Sequence, residues 1–294
     1  MKKLFLFLLL IPVLCLGQYP NYNKNGVQFN YILLPSETPA TEKWLPMIFW
    51  QGSGEWGPLD GSSISRCWAH EYPKLAKLNM YKFPFDILVL QGTPSNTTQK
   101  IQDWRMCELG LWDLMDALGW DKAVMAGLSQ GGQQSLKYAY KKMNPEGRIV
   151  ALAVAGAVQP WGSGYEWLTT AQRTSSDYSM IKDQVVDIPI IAVHGDSDKS
   201  GNSWYGIRNY LADLNSIPGR VNKAQLVTIL GGDHGSSWTQ GFNPGNEKYG
   251  KIVWEFMKQV NALNAPVKDI PGVLIRRGTQ VIGKFEDGQE VIIK

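Results

Sequence analysis

One serine stands between two glycines in Gly127-Leu128-Ser129-Gln130-Gly131, directly behind the apolar run Ala123-Val124-Met125-Ala126. A strand that turns sharply into a helix presents such a serine at its tip, and the glycines are needed because side chains there would strike the neighbouring strand and helix. A serine hydroxyl becomes a useful nucleophile only when a base takes its proton, and the base needs an acid to orient it. The chain has three histidines: His70, His194 and His234. His234 lies in Gly231-Gly232-Asp233-His234-Gly235, just after an apolar run at 226–230. A lone loop histidine more often packs than reacts, but this one follows a strand-like run in a glycine-rich loop and is the preferred base. His194 ends the run 190–193 and reads as a packing residue. It opens His194-Gly195-Asp196-Ser197-Asp198, which offers two acids. Asp198 is preferred, because two further residues let the loop turn its carboxylate toward the His234 loop. Asp196 has the ordinary reading of a turn-former that bonds its own backbone. Asp233, next to His234 in the chain, cannot easily reach back to Nδ1 of that ring.

Attack on a carbonyl also needs donors for the developing oxyanion. The backbone N–H of Gln130, behind the nucleophile at a helix N-terminus, is one candidate. The Ser53 amide is the other, in Gln51-Gly52-Ser53-Gly54-Glu55-Trp56-Gly57 after the run 47–50. The same loop contains a G-x-G-x-x-G, the dinucleotide fingerprint. That reading requires a helix to begin there, where Pro58-Leu59-Asp60-Gly61-Ser62-Ser63 follows. It also requires an acid at the end of the next strand, where Gln91 stands. Three scattered histidines and two distant cysteines show no metal-ligand spacing. The expectation is an active site with no metal and no cofactor.

The elements that must position these residues are short apolar runs at 29–34, 47–50, 87–90, 122–126, 150–155, 190–193 and 226–230. Most are continuous rather than alternating, which suits strands buried on both faces of a parallel sheet. Helical patterns fall between them at 101–118 (Trp104, Leu109, Leu111, Trp112, Leu114, Met115, Leu118), 133–143, 205–214 and 249–263. Alternating strands and helices predict a doubly wound α/β fold. Residues 160–187 are polar and lack a period, and read as a loop or small cap over one end of the sheet. Beyond Ala265-Pro266 three short strand patterns (273–276, 280–284, 290–294) form a β-rich tail that is too short for a core of its own.

Residues 1–17 read as a signal peptide: Lys2-Lys3, an apolar stretch from Leu4 to Leu16, and small Gly17 before the expected cleavage point. Residues 18–264 then form the catalytic domain and 265–294 the tail. Without the leader the chain has 27 basic and 26 acidic residues, a net charge of +1. That gives no electrostatic footprint for nucleic acid or for an anionic membrane. A secreted or periplasmic protein is expected, without membrane attachment once the leader is removed. In an oxidising compartment Cys67 and Cys107 could form a disulfide or remain two buried thiols.

Four segments together resemble the α/β-hydrolase superfamily, nearest the branch of carboxylesterases, acyl-protein thioesterases, feruloyl esterases and polyhydroxybutyrate-depolymerase-like enzymes. Residues 51–57 resemble its His-Gly-x-Gly-Glu loop, 127–132 its elbow, 194–198 its His-Gly-Asp-x-Asp acid loop and 233–238 its catalytic His-Gly-x-x-Trp stretch. They occur in the order Ser, Asp, His that this fold uses. The resemblance spans about residues 29–263 and implies an α/β-hydrolase fold, a mostly parallel sheet flanked by helices. It implies Ser129 as nucleophile, His234 as base, Asp198 as acid, and Ser53 and Gln130 as oxyanion donors. Two positions depart from the pattern: Gln51 replaces the usual His, and Lys199-Ser200-Gly201-Asn202 replaces a Val-Pro-like continuation. The implied activity is hydrolysis of a small-molecule or polysaccharide-linked carboxylic ester, such as a carbohydrate-linked acetyl or feruloyl ester. Trp56, Trp161 and Trp238 are candidate substrate-binding residues, since flat aromatic faces bury large area at little entropic cost. A peptidase on the same fold and a catalytically idle carbohydrate-binding or surface protein are the alternatives.

Overall fold

The computed structural model describes residues 21–94, 102–103, 105–157, 184–199, 204–264, 274–277, 280–284 and 290–293. The expected signal peptide, Trp104, Trp161 and most of the 160–187 segment lie outside the described residues.

The chain opens with an antiparallel pair, β1 (Asn21–Lys24) and β2 (Val27–Leu34). It continues through β3 (Met47–Trp50), β4 (Ile87–Gln91) and a small hairpin of β5 (Thr93–Pro94) with β6 (Gln102–Asp103). Next come β7 (Ala123–Leu128), β8 (Ile149–Ala155), β9 (Ile190–Gly195) and β10 (Ala224–Ile229). Eight of these strands make one sheet in the order β1-β2-β4-β3-β7-β8-β9-β10. The two junctions at β2 are antiparallel and all those from β4 to β10 are parallel. β3, β4, β7 and β9 are buried at every position, as expected for strands covered on both sides. β10, at the edge, alternates partly with exposed Gln225.

Helices cover both faces: α1 (Glu71–Lys77), α2 (Arg105–Ala117), α3 (Gln130–Leu136), α4 (Trp204–Ser216), α5 (Ser236–Gly241) and α6 (Gly250–Asn264). Pleating sends alternate residues of each strand into two separate apolar layers. Ile48, Trp50, Met125, Leu152, Val154 and Ala192 pack with α2 and α4, whereas Met47, Phe49, Val124, Ala126, Ile191 and Val193 pack with α1 and α6. α4 contributes Ile207, Tyr210, Leu211 and Leu214, and α6 contributes Val253, Phe256, Met257 and Val260. Both sets follow the i, i+3, i+4, i+7 spacing of one helix face.

Two helices differ from the sequence reading. The one expected over 101–118 begins at Arg105, because Gln102 and Asp103 pair in the hairpin. Its buried stripe is Cys107, Leu111, Leu114 and Met115, while Leu109 is 67% exposed. Periodicity had given the right helix with one residue on the wrong face. The helix expected over 133–143 starts earlier, at Gln130, directly behind the serine. After a 3-10 turn at Lys137–Ala139 it gives way to extended Tyr140, which bridges to Val185. The tail forms its own antiparallel sheet of β11 (Leu274–Arg277), β12 (Gln280–Lys284) and β13 (Glu290–Ile293), within one residue of the strands read from sequence. Cys67 and Cys107 are buried thiols, not a disulfide.

Leu211 is almost wholly buried between α4 and the sheet. Leu211→Ala is expected to lower unfolding free energy by about 3 kcal/mol. In urea titration this appears as a lower midpoint at unchanged slope. Leu109→Ala, on exposed surface, should stay within about 0.5 kcal/mol of the parent.

Candidate active site

The parallel strands all end at the same edge of the sheet, and the loops after β3, β7, β9 and β10 gather there, the usual location of sites in open α/β sheets. Ser129 sits between β7 and α3 with φ +52° and ψ −121°, a conformation that L residues rarely adopt. Its N–H donates to Ala155 O at 2.8 Å and its carbonyl accepts from Gln133 N at 3.2 Å, so the turn is tied to both β8 and α3. The flanking glycines are steric requirements. A Cβ on Gly127 would collide with the Gly131 carbonyl, and one on Gly131 with the carbonyls of Trp50 and Gln51.

His234 and Asp198 meet at this serine. His234 Nδ1 lies 2.7 Å from Asp198 Oδ2, and Nε2 lies 2.9 Å from Ser129 Oγ. A carboxylate only accepts, so Nδ1–H is the donor and Nε2 is left to accept from the serine hydroxyl. The Asp198 side chain is fully buried and that of His234 is 22% exposed. An imidazole placed this way can take the hydroxyl proton while the carboxylate stabilises the imidazolium.

The other two acids weighed from sequence serve the loops. Asp196 Oδ1 accepts Gly231 N–H at 2.7 Å and the Ser197 hydroxyl at 3.2 Å, so it fastens the β9 loop to the His234 loop rather than merely closing its own turn. Asp233 accepts Ser236 N–H at 2.8 Å and the Ser236 hydroxyl at 2.6 Å, and these bonds hold its carboxyl below the usual range. His194 is buried, as read. Its Nδ1–H donates to Gly195 O at 2.9 Å, and burial pushes its pKa down.

The loop after β3 lies alongside. A Cβ placed on Gly52 would be 3.6 Å from Ser129 Cβ, so the backbone around Ser53 borders that serine. Ser53–Glu55 is a single 3-10 turn, not the long helix that a dinucleotide fingerprint requires. Gln51 braces the loop by donating from Nε2 to Cys67 O. Gln91, which had seemed only an absent acid, donates to Glu55 O at 2.9 Å and Ser63 O at 3.2 Å. Asn30 Nδ2 in turn donates to Gln91 Oε1 at 3.1 Å and Pro58 O at 2.8 Å. Gln130 opens α3 beside the serine.

Trp238 packs edge-on against His234, with centroids 4.8 Å apart, and against His70 at 5.7 Å. His70 Nε2 also donates to Glu55 Oε1 at 2.9 Å, so this histidine connects the β3 loop to the His234 side of the site. Sequence reasoning gave His70 no role, since nothing in its local pattern marks it. Trp56 lies on the β3 loop, its carbonyl accepting from Arg66 at 3.3 Å. Gly156 was missed as well. At φ +55° it ends β8, and a Cβ there would lie 3.2 Å from both Cε1 and Nδ1 of His234 and from Cζ3 of Trp238. A cavity lined by Leu34, Glu37, Tyr81, Lys82, Phe83 and Ile87 opens at the other end of the sheet and includes none of these residues.

No protein-family model matches the sequence. No curated protein matches it either. Solved structures do. A soluble variant of monoglyceride lipase from Saccharomyces cerevisiae, in complex with a substrate analogue, superposes with a TM-score of 0.56 at 13% identity, over 84% of this chain and 95% of that one. The fold is that of the α/β hydrolases. Thermogutta terrifontis esterase 2 phosphonylated by cyclosarin gives 0.56 at 15% identity, over 85% of this chain and 96% of that one. The acylaminoacyl peptidase of Pyrococcus horikoshii gives 0.54 at 10% identity, over 83% of this chain and 41% of that one.

Gly156→Ala is expected to displace the His234 ring and to place a side chain at positive φ. At 3.2 Å the ring must give by a few tenths of an ångström; since a misplacement of about 1 Å can cost about 10²-fold in rate, a loss of up to about 10-fold is expected. The check is the rate at which Ser129 reacts with a fluorophosphonate, alongside circular dichroism showing that the variant is folded.

Proposed function

We propose that this chain is a serine hydrolase of carboxylic esters, with Ser129 as nucleophile, His234 as general base and Asp198 as the acid that orients and stabilises it. The observation that carries the reading is the continuous hydrogen-bonded chain from Ser129 Oγ through the His234 ring to Asp198 Oδ2, at 2.9 and 2.7 Å. A hydroxyl, an imidazole and a buried carboxylate in that order are what acyl transfer needs.

In the proposed reaction Ser129 Oγ attacks the ester carbonyl carbon as His234 Nε2 takes its proton. The resulting oxyanion accepts hydrogen bonds from the backbone N–H groups of Ser53 and Gln130. The tetrahedral intermediate collapses, the alkoxide leaves with the proton from His234, and an acyl-Ser129 ester remains. Water then adds to that ester as His234 takes one of its protons, and collapse releases the acid and restores the serine.

Trp238 supports a substrate with a flat or sugar-like group, because its ring forms one wall beside His234. Trp56, on the β3 loop, and Trp161, by its place in the sequence after the run 150–155, belong to the same proposal. Carbohydrate-linked acetyl or feruloyl esters fit this reading. The charged and apolar leader at 1–17 supports export.

Ser129→Ala is expected to lower kcat/KM for a short p-nitrophenyl ester by at least about 10³-fold, with thermal unfolding essentially unchanged. Turnover equal to the parent's would overturn the assignment. A panel of acetyl, feruloyl, longer acyl and peptide substrates separates the esterase from a peptidase. A protein that binds sugar but fails to react with a fluorophosphonate would be idle.

A further inference from the structure

Asp198 Oδ2 has a second imidazole beside it. Nε2 of His194 lies 3.6 Å from the same oxygen that His234 Nδ1 approaches to 2.7 Å, and both the His194 and Asp198 side chains are fully buried. The other ring nitrogen identifies the tautomer. His194 Nδ1 is 2.9 Å from Gly195 O, and a carbonyl only accepts, so Nδ1 carries the hydrogen. Burial keeps the ring in its neutral form. Nε2 is then a bare lone pair with no hydrogen-bond partner.

An unpartnered nitrogen facing an anion is unfavourable taken alone, and buried polar atoms are normally satisfied. Its effect here is on Asp198. Whatever flanks a carboxylate either donates to it, drawing off negative charge, or leaves that charge for another partner. Water or a donor side chain in this position would do the first. A neutral imidazole with its hydrogen turned away does the second, and its bulk excludes water.

We propose that His194 is a positioning residue: as a neutral Nδ1–H imidazole it covers the flank of Asp198 Oδ2 with a nitrogen that cannot donate. The ring draws no charge from that oxygen, which leaves it to accept from His234 Nδ1–H. The inference rests on reading Ser129, His234 and Asp198 as the reacting set. The ionisable groups bearing on His194 include Asp198 and His234, and Asp233 interacts with His234. Neutral residues of neighbouring elements flank His194 and Gly195. Thr228 pairs with His194 across β10, and Ser237 of α5 bonds Gly195 N–H at 3.1 Å.

The test uses the full chain, whose three histidines give a resolvable imidazole spectrum. Long-range 1H–15N spectra of the unaltered protein should show His194 as the neutral Nδ1–H tautomer throughout the range in which His234 titrates. An Nε2–H tautomer or a cation at neutral pH would overturn the proposal without any variant. In His194→Gln the amide Nε2 falls where the imidazole Nε2 was and donates to Asp198. The His234 ring titration and the acid limb of kcat/KM for p-nitrophenyl acetate should then move together to lower pH, by about half a unit or more, with a lower plateau. A folded His194→Gln protein that loses rate equally at every pH, with the His234 titration unmoved, would reduce His194 to packing. The ring titrations do not depend on turnover. Absence of Ser129 labelling by a fluorophosphonate would therefore overturn the esterase reading separately.

Discussion

At the strand-to-helix turn, Ser129 is held at φ +52° and ψ −121°, and much of the site's geometry follows from keeping it there. A non-glycine residue in that region costs about 1–3 kcal/mol and persists only where its surroundings over-determine it. The surroundings here are β7, β8 and α3, joined through the Ala155 carbonyl and the Gln133 amide. The turn is also so tight that Gly131 touches the carbonyls of Trp50 and Gln51 at the end of β3. That approach forces the next loop along, beginning at Gly52, to border the serine. Position of Ser129 and position of the loop proposed to supply an oxyanion donor are one steric fact.

The loop beside the serine is held mostly by neutral amides. Gln51, Gln91 and Asn30 bond the backbone of residues 55–67, and Asn30 also bonds Gln91, with little side-chain exposure. Asp198 on the other side of the serine is held differently. A fully buried carboxylate is costly unless hydrogen-bonded or paired, and it sits between two imidazoles that differ in what they offer: a donor from His234 and a bare nitrogen from His194. His70 connects the two regions through Glu55 and the Trp238 ring.

Much of this arrangement was readable from the chain because the residues that meet there follow apolar runs. Ser129, Asp198 and His234 each follow such a run closely, so local context marks them even though 105 residues separate the serine from the histidine. The strands themselves extend past the apolar residues that announced them, β4 to Gln91, β7 to Leu128 and β9 to Gly195. Polar and glycine residues at these carboxyl ends, Gln91, Gly127, His194 and Gly195, dilute the pattern. His70 and Gly156 were not readable, because their importance comes from what lies across the sheet edge: Glu55 and Trp238 for one, the His234 ring for the other. Leu109 failed for another reason. Helical period fixes a stripe's spacing, but which of two adjacent rows turns inward depends on the surface it meets, here Phe29 and Tyr22 pressed close against Gly110.

The two buried thiols divide between the two apolar layers: Cys107 lies with α2 and α4, and Cys67 lies with α1 and α6. Burial raises the Cys67 pKa well above that of an ordinary thiol, so little thiolate exists to react while the layer stays closed. Each half of the protein thus contains its own reporter of opening, silent in the native state and reactive once its layer admits solvent. Sulfur chemistry at these positions becomes a clock on local unfolding, and the order in which the two react tells which face of the sheet gives way first.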